Sequence, residues 1–300
     1  MKRSDNLTGA LLMMGSIAGF TINDTFLKLL AGNVPMFQVL FLRGALTTGA
    51  VAVIAWRMGA FGGSVPRRDW GIMAIRTLAE VSATYCFLTA LFHMPLANIT
   101  AIMQALPLSL ALVAALVFRE PLGWRRLTAI AVGFCGVMLI VRPGSEGFNT
   151  YALYGLAAVG CVTVRDLSTR RLSRGVPSML VTFVTSASVM TVFGMAGLGR
   201  EWVPMTGSEI GLITGAAAFA IGGYVSSIMA MRIGEITYTA QFRYTSLLWA
   251  LLLGWFIFGD WPTSLTLLGA GIVVASGVFT LYREAKLGLR KSGRSLLPRR

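Results

Sequence analysis

Residues 96–141 read LANITAIMQALPLSLALVAALVFREPLGWRRLTAIAVGFCGVMLIV, and residues 236–281 read ITYTAQFRYTSLLWALLLGWFIFGDWPTSLTLLGAGIVVASGVFTL. Each stretch is an apolar helix, a turn holding an acid and a proline, and a second helix containing glycine. The turns pair Glu120 and Pro121 with Asp260 and Pro262, so the two stretches match at an offset of about 140 residues. Proline fixes φ and ends the preceding helix, and the acid can hydrogen-bond turn backbone. Two helices crossing the same thickness twice, at this spacing, divide the chain into five helices plus five.

A bilayer core is about 30 Å thick, so a helix needs roughly 20 apolar residues to cross it. Ten stretches are long enough or nearly so: Thr8–Leu30, Met36–Trp56, Trp70–Leu91, Leu96–Phe118, Thr128–Val141, Tyr151–Leu172, Met179–Leu198, Ile210–Met231, Ile236–Phe258 and Leu265–Leu281. The fifth is short and borrows from its flanks. A composition of 55% hydrophobic and 13% charged residues is too apolar for a soluble helical protein. The expected fold is an all-α integral membrane protein of ten transmembrane helices in two repeats, 8–142 and 151–282, followed by a basic tail, 283–300. Five is odd, so the second repeat enters from the opposite side, and the repeats are inverted. Inverted repeats give equivalent inside-open and outside-open arrangements around a midplane site, which is a transporter design.

The net charge of +14 would suggest nucleic acid in a soluble chain. Threaded with a cytoplasmic N-terminus, 20 of the 26 basic residues fall inside, and only Arg142 and Arg200 fall outside. This is the positive-inside asymmetry of a membrane protein with both termini cytoplasmic. The partners implied are the lipid bilayer, contacted by the basic tail, and a small molecule, with no nucleic acid. Met1-Lys2-Arg3 before an apolar run resembles a signal peptide, but the run continues past Asp24 and Lys28 without a clear cleavage site. Cys86, Cys135 and Cys161 show no paired spacing, so neither a disulfide nor a metal site is indicated. With no Walker A loop, G-x-G-x-x-G element or H-E-x-x-H, no cofactor and no catalytic residue is expected.

A charged side chain at a helix centre costs about 2.5–3.5 kcal/mol on insertion scales, so such residues face a partner or a wet cavity. Asp24 and Lys28 share a face of helix 1, as do Arg76 and Glu80 on helix 3, each pair being four residues apart. Arg43 lies roughly 12 Å into helix 2 at 1.5 Å per residue. Gln241, Arg243 and Tyr244 begin the membrane part of helix 9, and Asn23, Tyr85, Gln104 and Thr245 add hydrogen-bonding groups. Trp249, inside helix 9, can stack on an aromatic ligand or simply pack. Arg165 and Asp166, near the end of helix 6, and Lys28 are close enough to helix ends to snorkel. The Arg76–Glu80 pair can be purely structural. His93, the lone histidine, reads as a helix-end residue. Lys28, Arg43, Arg76 and Arg243 against Asp24 and Glu80 leave the core formally positive, which suits a carboxylate- or phosphate-bearing metabolite, amino-acid-like or nucleoside-like. The expected binding and gating set is therefore Asp24, Lys28, Arg43, Arg76, Glu80, Tyr85, Gln104, Gln241, Arg243, Tyr244 and Trp249.

The two five-helix units with their acid-and-proline turns resemble the EamA domains of the drug/metabolite transporter superfamily, over residues 8–282. N-D-x-x-x-K (Asn23, Asp24, Lys28), F-x-R (Phe41, Arg43), I-R-T-L (Arg76) and F-R-Y (Phe242, Arg243, Tyr244) resemble the branch holding S-adenosylmethionine uptake and riboflavin transporters. Asp260 departs from the glutamate common in such turns. The resemblance implies secondary transport across a bacterial inner membrane, driven by a proton or a counter-substrate, and leaves a homodimer open. A membrane enzyme would want a catalytic histidine or an acid cluster at an interface. A receptor or scaffold would want a soluble domain. Neither feature is legible in the chain.

Overall fold

The structure is a computed structural model. It describes residues 3–62, 65–118, 123–142, 149–173, 175–233 and 239–295. Ten helical crossings run through these residues, and no strand occurs among them. They are α1 (Arg3–Leu29), α2 (Met36–Arg57), α3 (Arg67–His93), a broken fourth crossing of α4 (Leu96–Met103) and α5 (Leu106–Phe118), and α6 (Trp124–Val141). The second half comprises α7 (Tyr151–Arg171), α8 (Ser178–Ala196), α9 (Gly207–Ile233), a ninth crossing of a 3-10 turn (Ala240–Thr245) and α10 (Ser246–Phe258), and α11 (Ser264–Ser295). Glu120 and Pro121 lie outside the described residues. An even number of crossings puts both chain ends at one end of the bundle, the terminal end; the opposite end is the far end.

Local sequence sets the helix ends. Pro35, Pro66, Pro95 and Pro177 stand just before α2, α3, α4 and α8, where a missing N–H costs nothing. Thr206 and Glu209 form a reciprocal cap at the start of α9. Thr206 N–H donates to Glu209 Oε2 at 2.8 Å, and the Thr206 hydroxyl accepts from the Glu209 N–H at 3.4 Å. These bonds hold the exposed Glu209 carboxyl below the usual carboxylate range. Trp124 begins α6, so the fifth crossing does gain residues on its N-terminal side.

The two halves interlock. α1 packs chiefly on α9 and α3 on α7, while α2 packs on α8, α6 on α11 and α4 on α10. Equating the first crossing with the sixth, and so on, turns the α1–α9 pair into the α7–α3 pair and each remaining pair into itself. This is the contact pattern of two inverted five-helix repeats. In lipid, helices associate by close backbone approach. At the α6–α11 crossing a Cβ on Gly136 would stand 2.7 Å from the Gly269 carbonyl. Gly44, Gly133, Gly155, Gly215 and Gly223 also meet a neighbouring helix, whereas Gly49, Gly160, Gly211, Gly222 and Gly271 face open space.

Apolar packing is uneven along the bundle axis. The main core runs from the middle to the far end through Leu27, Leu30, Val39, Leu91, Leu96, Ile99 and Phe193. At the terminal end the described core is a small cluster of Met73, Val176 and Val181. α1, α2, the fourth crossing, α8 and α9 are long and apolar enough to cross a membrane by composition alone, whereas α3 and α7 are not. The reason is chemical: those two helices carry Arg76, Glu80, Arg165 and Asp166.

Candidate functional site

α3 and α7 meet on a charged seam. Arg165 Nη1 donates to Glu80 Oε2 at 3.0 Å, and its Nε donates to Asp166 Oδ1 at 2.8 Å. One guanidinium thus holds two carboxylates that would otherwise repel each other. Arg76, one turn from Glu80, donates from Nε to Thr169 Oγ1 at 2.8 Å and from Nη1 to Thr185 Oγ1. These contacts tie α3 to α7 and α8. The snorkelling alternative for Arg165 and Asp166 fails on this geometry, because both point into the protein seam.

Two further arginines face the same region without such partners. Arg43 on α2 has its Nε buried and unbonded. Arg243, in the 3-10 turn, is exposed, its guanidinium makes no hydrogen bond to another described residue, and it lies within electrostatic range of Asp166 and Arg165. Tyr224 on α9 joins the two. Its hydroxyl is in electrostatic range of Arg43, Arg76, Glu80 and Arg165, yet the residue is 49% exposed. Tyr224 thus stands among four charged groups with about half of its surface uncovered by protein. Asp24, on α1, lies within range of Arg43 and accepts a bond from Asn23 Nδ2 at 2.8 Å. The region therefore holds four guanidiniums (Arg43, Arg76, Arg165, Arg243) against three carboxylates (Asp24, Glu80, Asp166), a net positive cluster between the repeats.

The other sequence-selected residues sit around this cluster. Lys28 is at the far end. Its Nζ donates to the carbonyls of Leu91 at 3.1 Å and Met94 at 2.6 Å, capping the C-terminus of α3, and stands 5.4 Å from the Phe258 ring centre. Tyr85 lies on the α3–α7 seam, 6.4 Å from Tyr154 in an edge contact. That row continues to Tyr151, which stacks on His93 at 4.0 Å. Gln104 sits at the break between α4 and α5. Its amide donates to Tyr244 O at 3.2 Å and Ser246 Oγ at 2.9 Å, so it bridges the breaks of the fourth and ninth crossings. The Tyr244 hydroxyl is buried against Gly277 without a hydrogen bond, and the Trp249 indole N–H is likewise buried and unpartnered. Gln241 lies in the same 3-10 turn, half-buried.

Tyr224 was not in the sequence-selected set. The signal available was a hydroxylated aromatic inside Gly222-Gly223-Tyr224-Val225-Ser226, where small neighbours let a large ring reach inward. The break after Gln104 also had a signal, Pro107, which lacks the N–H a continuous helix needs. Two open apolar grooves lie elsewhere, one between α3 and α8 around Trp70 and Leu78, one between α1 and α9 around Gly19 and Phe219. Neither includes the charged residues, and apolar grooves on a membrane protein's flank are where acyl chains pack. No group of three or more metal-ligating side chains occurs among the described residues.

Two interlocked five-helix repeats with a cluster of charged side chains between them are the architecture of a membrane transporter. The chain matches the EamA-like transporter family twice, over residues 7–142 and 149–282, and belongs to it. It is 25% identical to the S-adenosylmethionine uptake transporter of Rickettsia felis, covering 95% of this chain and 96% of that one. Against the riboflavin transporter of Vibrio cholerae it is also 25% identical, over 95% and 96% of the two chains. Against the pseudopaline exporter CntI of Pseudomonas aeruginosa it is 23% identical, over 93% and 97%. A solved crystal structure, 18% identical, superposes with a TM-score of 0.64 over 94% of this chain and 99% of that one, which shows the shared fold.

Proposed function

We propose that this chain is a secondary transporter that carries a small organic metabolite bearing a carboxylate or phosphate across a bacterial inner membrane by alternating access. Arg43 and Arg243 hold the acidic end of the substrate at different depths. The observation that carries this reading is the division of labour among the arginines. Arg76 and Arg165 are committed to protein partners, while Arg43 and Arg243 stand in the cluster with donors unspent. A guanidinium offers paired parallel donors that match a carboxylate or phosphate, and lysine does not reproduce them. Residues 8–142 and 151–282 are the two repeats that rock against each other, with both termini in the cytoplasm. On that orientation the packed far end faces outward, and the cluster is reached from the cytoplasm. Coupling to a proton or to a counter-substrate is part of the same reading.

A second reading is a carrier of riboflavin-like aromatic compounds. It rests on the buried, unpartnered Trp249 indole N–H one turn beyond Tyr244. Arg243→Lys separates the two. In proteoliposomes at matched protein density, the substitution should abolish most uptake of an acidic metabolite. Uptake at the wild-type rate would leave Arg243 as an interface anchor and remove the acidic-end reading.

A further inference from the structure

The groove between α3 and α8 has a charged end. It holds about 460 Å³, and its walls come from both repeats, with Trp70, Ala74 and Val81 on the α3 side and Val184 and Val192 on the α8 side. Residues three or four apart share a helix face, so the α3 wall is one stripe, and Arg67 stands on it one turn before Trp70. Arg67 and its neighbour Arg68 are exposed. Trp70 is 50% and Leu78 68% exposed, so no protein covers the stripe. From Trp70 to Val81 it rises roughly 16 Å at 1.5 Å per residue, which is about half of a hydrocarbon core about 30 Å thick. With Trp70 at the interface, where tryptophan settles, the groove is one leaflet deep and has its cations at the mouth. The groove between α1 and α9 is of similar size, about 440 Å³, but residues 7–22 and 210–231, which wall it, contain no lysine or arginine.

We infer that the α3–α8 groove is a binding site for an anionic phospholipid of the leaflet at the terminal end. One acyl chain lies along the stripe from Trp70 to Val81, and the phosphate meets the Arg67 and Arg68 guanidiniums. The charge selects an acidic headgroup, because basic side chains at a membrane surface attract anionic lipid and a guanidinium pairs bidentately with phosphate. The depth selects an acyl chain, because a transmembrane helix of a second copy would run the full thickness of the bilayer and outlast the groove by half its length. The site also mends a thin place in the packing. At the terminal end the described core is a small cluster, and its member Met73, 2% exposed, is part of the groove wall. Next to Val184, Thr185 accepts the bond from Arg76 Nη1 that ties α3 to α8. Since α3 belongs to the first repeat and α8 to the second, a seated lipid clasps the two repeats in the arrangement described above. The inference goes beyond the transport reading and needs only that the chain crosses a bilayer.

The test uses the full-length protein in phosphatidylcholine nanodiscs that receive a rising fraction of one lipid brominated in its acyl chains, either phosphatidylglycerol or phosphatidylcholine. Bromine quenches tryptophan fluorescence on contact, and subtracting the Trp70→Phe variant isolates the share of Trp70. Half of that share should be quenched at a fraction of brominated phosphatidylglycerol about five-fold or more below that of brominated phosphatidylcholine, the effect of one arginine near a membrane surface. Arg67→Gln with Arg68→Gln should abolish the preference. Ala74→Phe, which fills the groove, should abolish it with both arginines in place. In both variants the rise in melting temperature that phosphatidylglycerol gives the wild-type protein over phosphatidylcholine should disappear. Arg125→Gln, at an exposed arginine beginning α6 at the same end of the bundle, should leave the preference unchanged. Equal quenching by the two lipids overturns the site. A preference that survives Ala74→Phe, or that falls as far in Arg125→Gln as in Arg67→Gln, overturns it as well, since the attraction is then diffuse. These readouts record lipid binding alone, so the transport reading stands or falls separately by uptake.

Discussion

Arg165 is the residue on which the cluster depends. It neutralises Glu80 and Asp166 at once, with side-chain exposures of only 21–29% across the three. Removing one partner of a buried pair costs about 3–5 kcal/mol, and screening at these partly exposed side chains lowers that to about half, so about 2 kcal/mol is expected. Arg165→Gln should therefore lower the melting temperature of the purified protein in detergent. Adding Glu80→Gln to it should recover part of the loss, because one stranded charge is then gone. A double variant no more stable than the single one would show that the pair contributes little. The intramembrane charges were legible one at a time from their cost in hydrocarbon. Which of them bond to each other was not, since Glu80 and Arg165 are 85 residues apart and belong to different repeats.

At the scale of elements, the two broken crossings stand out. The fourth breaks between Met103 and Leu106, the ninth at its 3-10 turn, and the offset between them is the 140 residues of the repeat. Broken helices at matching points are how transporters expose backbone groups beside a midplane site. Gln104 bonds one break to the other, and Gly277 leaves room for the Tyr244 ring that seats the second. A Cβ at residue 277 would overlap the Tyr244 hydroxyl. Gly277→Ala should therefore displace the 3-10 turn and reduce uptake several-fold at matched expression, and adding Tyr244→Phe should restore part of it. Full activity in Gly277→Ala would mean that Tyr244 repacks freely. Gln104→Leu, which keeps size and removes both bonds, should also slow uptake while the protein still reaches the membrane. The ten crossings were legible from the run of apolar stretches, although only five of them are long and apolar enough to span a membrane by composition. The breaks were not, because their flanks are as apolar as any continuous helix, and only Pro107 marks the first.

For the whole molecule, orientation and interlocking are the quantities to measure. A C-terminal alkaline phosphatase fusion should be inactive and a fluorescent-protein fusion bright, as the 20-to-2 basic asymmetry requires. The opposite result would remove the ten-crossing topology. Because each helix finds its main partner in the other repeat, residues 1–145 expressed alone should be degraded, and co-expression with residues 146–300 should restore both fragments to the membrane. A stable, monomeric first fragment would show that one repeat can satisfy its own faces. The pairing of repeats was legible in the two acid-and-proline turns; the exchange of partners between them was not, since sequence self-similarity says which segments are alike and nothing about which ones touch.

That exchange also sets a timetable for synthesis. The Ser16 hydroxyl finally donates to the Gly223 carbonyl, 207 residues later in the chain. At a ribosomal pace of about 5–20 residues per second, α1 waits roughly 10–40 s for α9 to emerge. Throughout that interval the Ser16 hydroxyl lacks the acceptor it has in the finished fold. The nascent first helix must be sheltered by the insertion machinery or held by water at its polar stripe, and a ribosome stalled before residue 207 would leave a charged, half-made protein stranded in the bilayer.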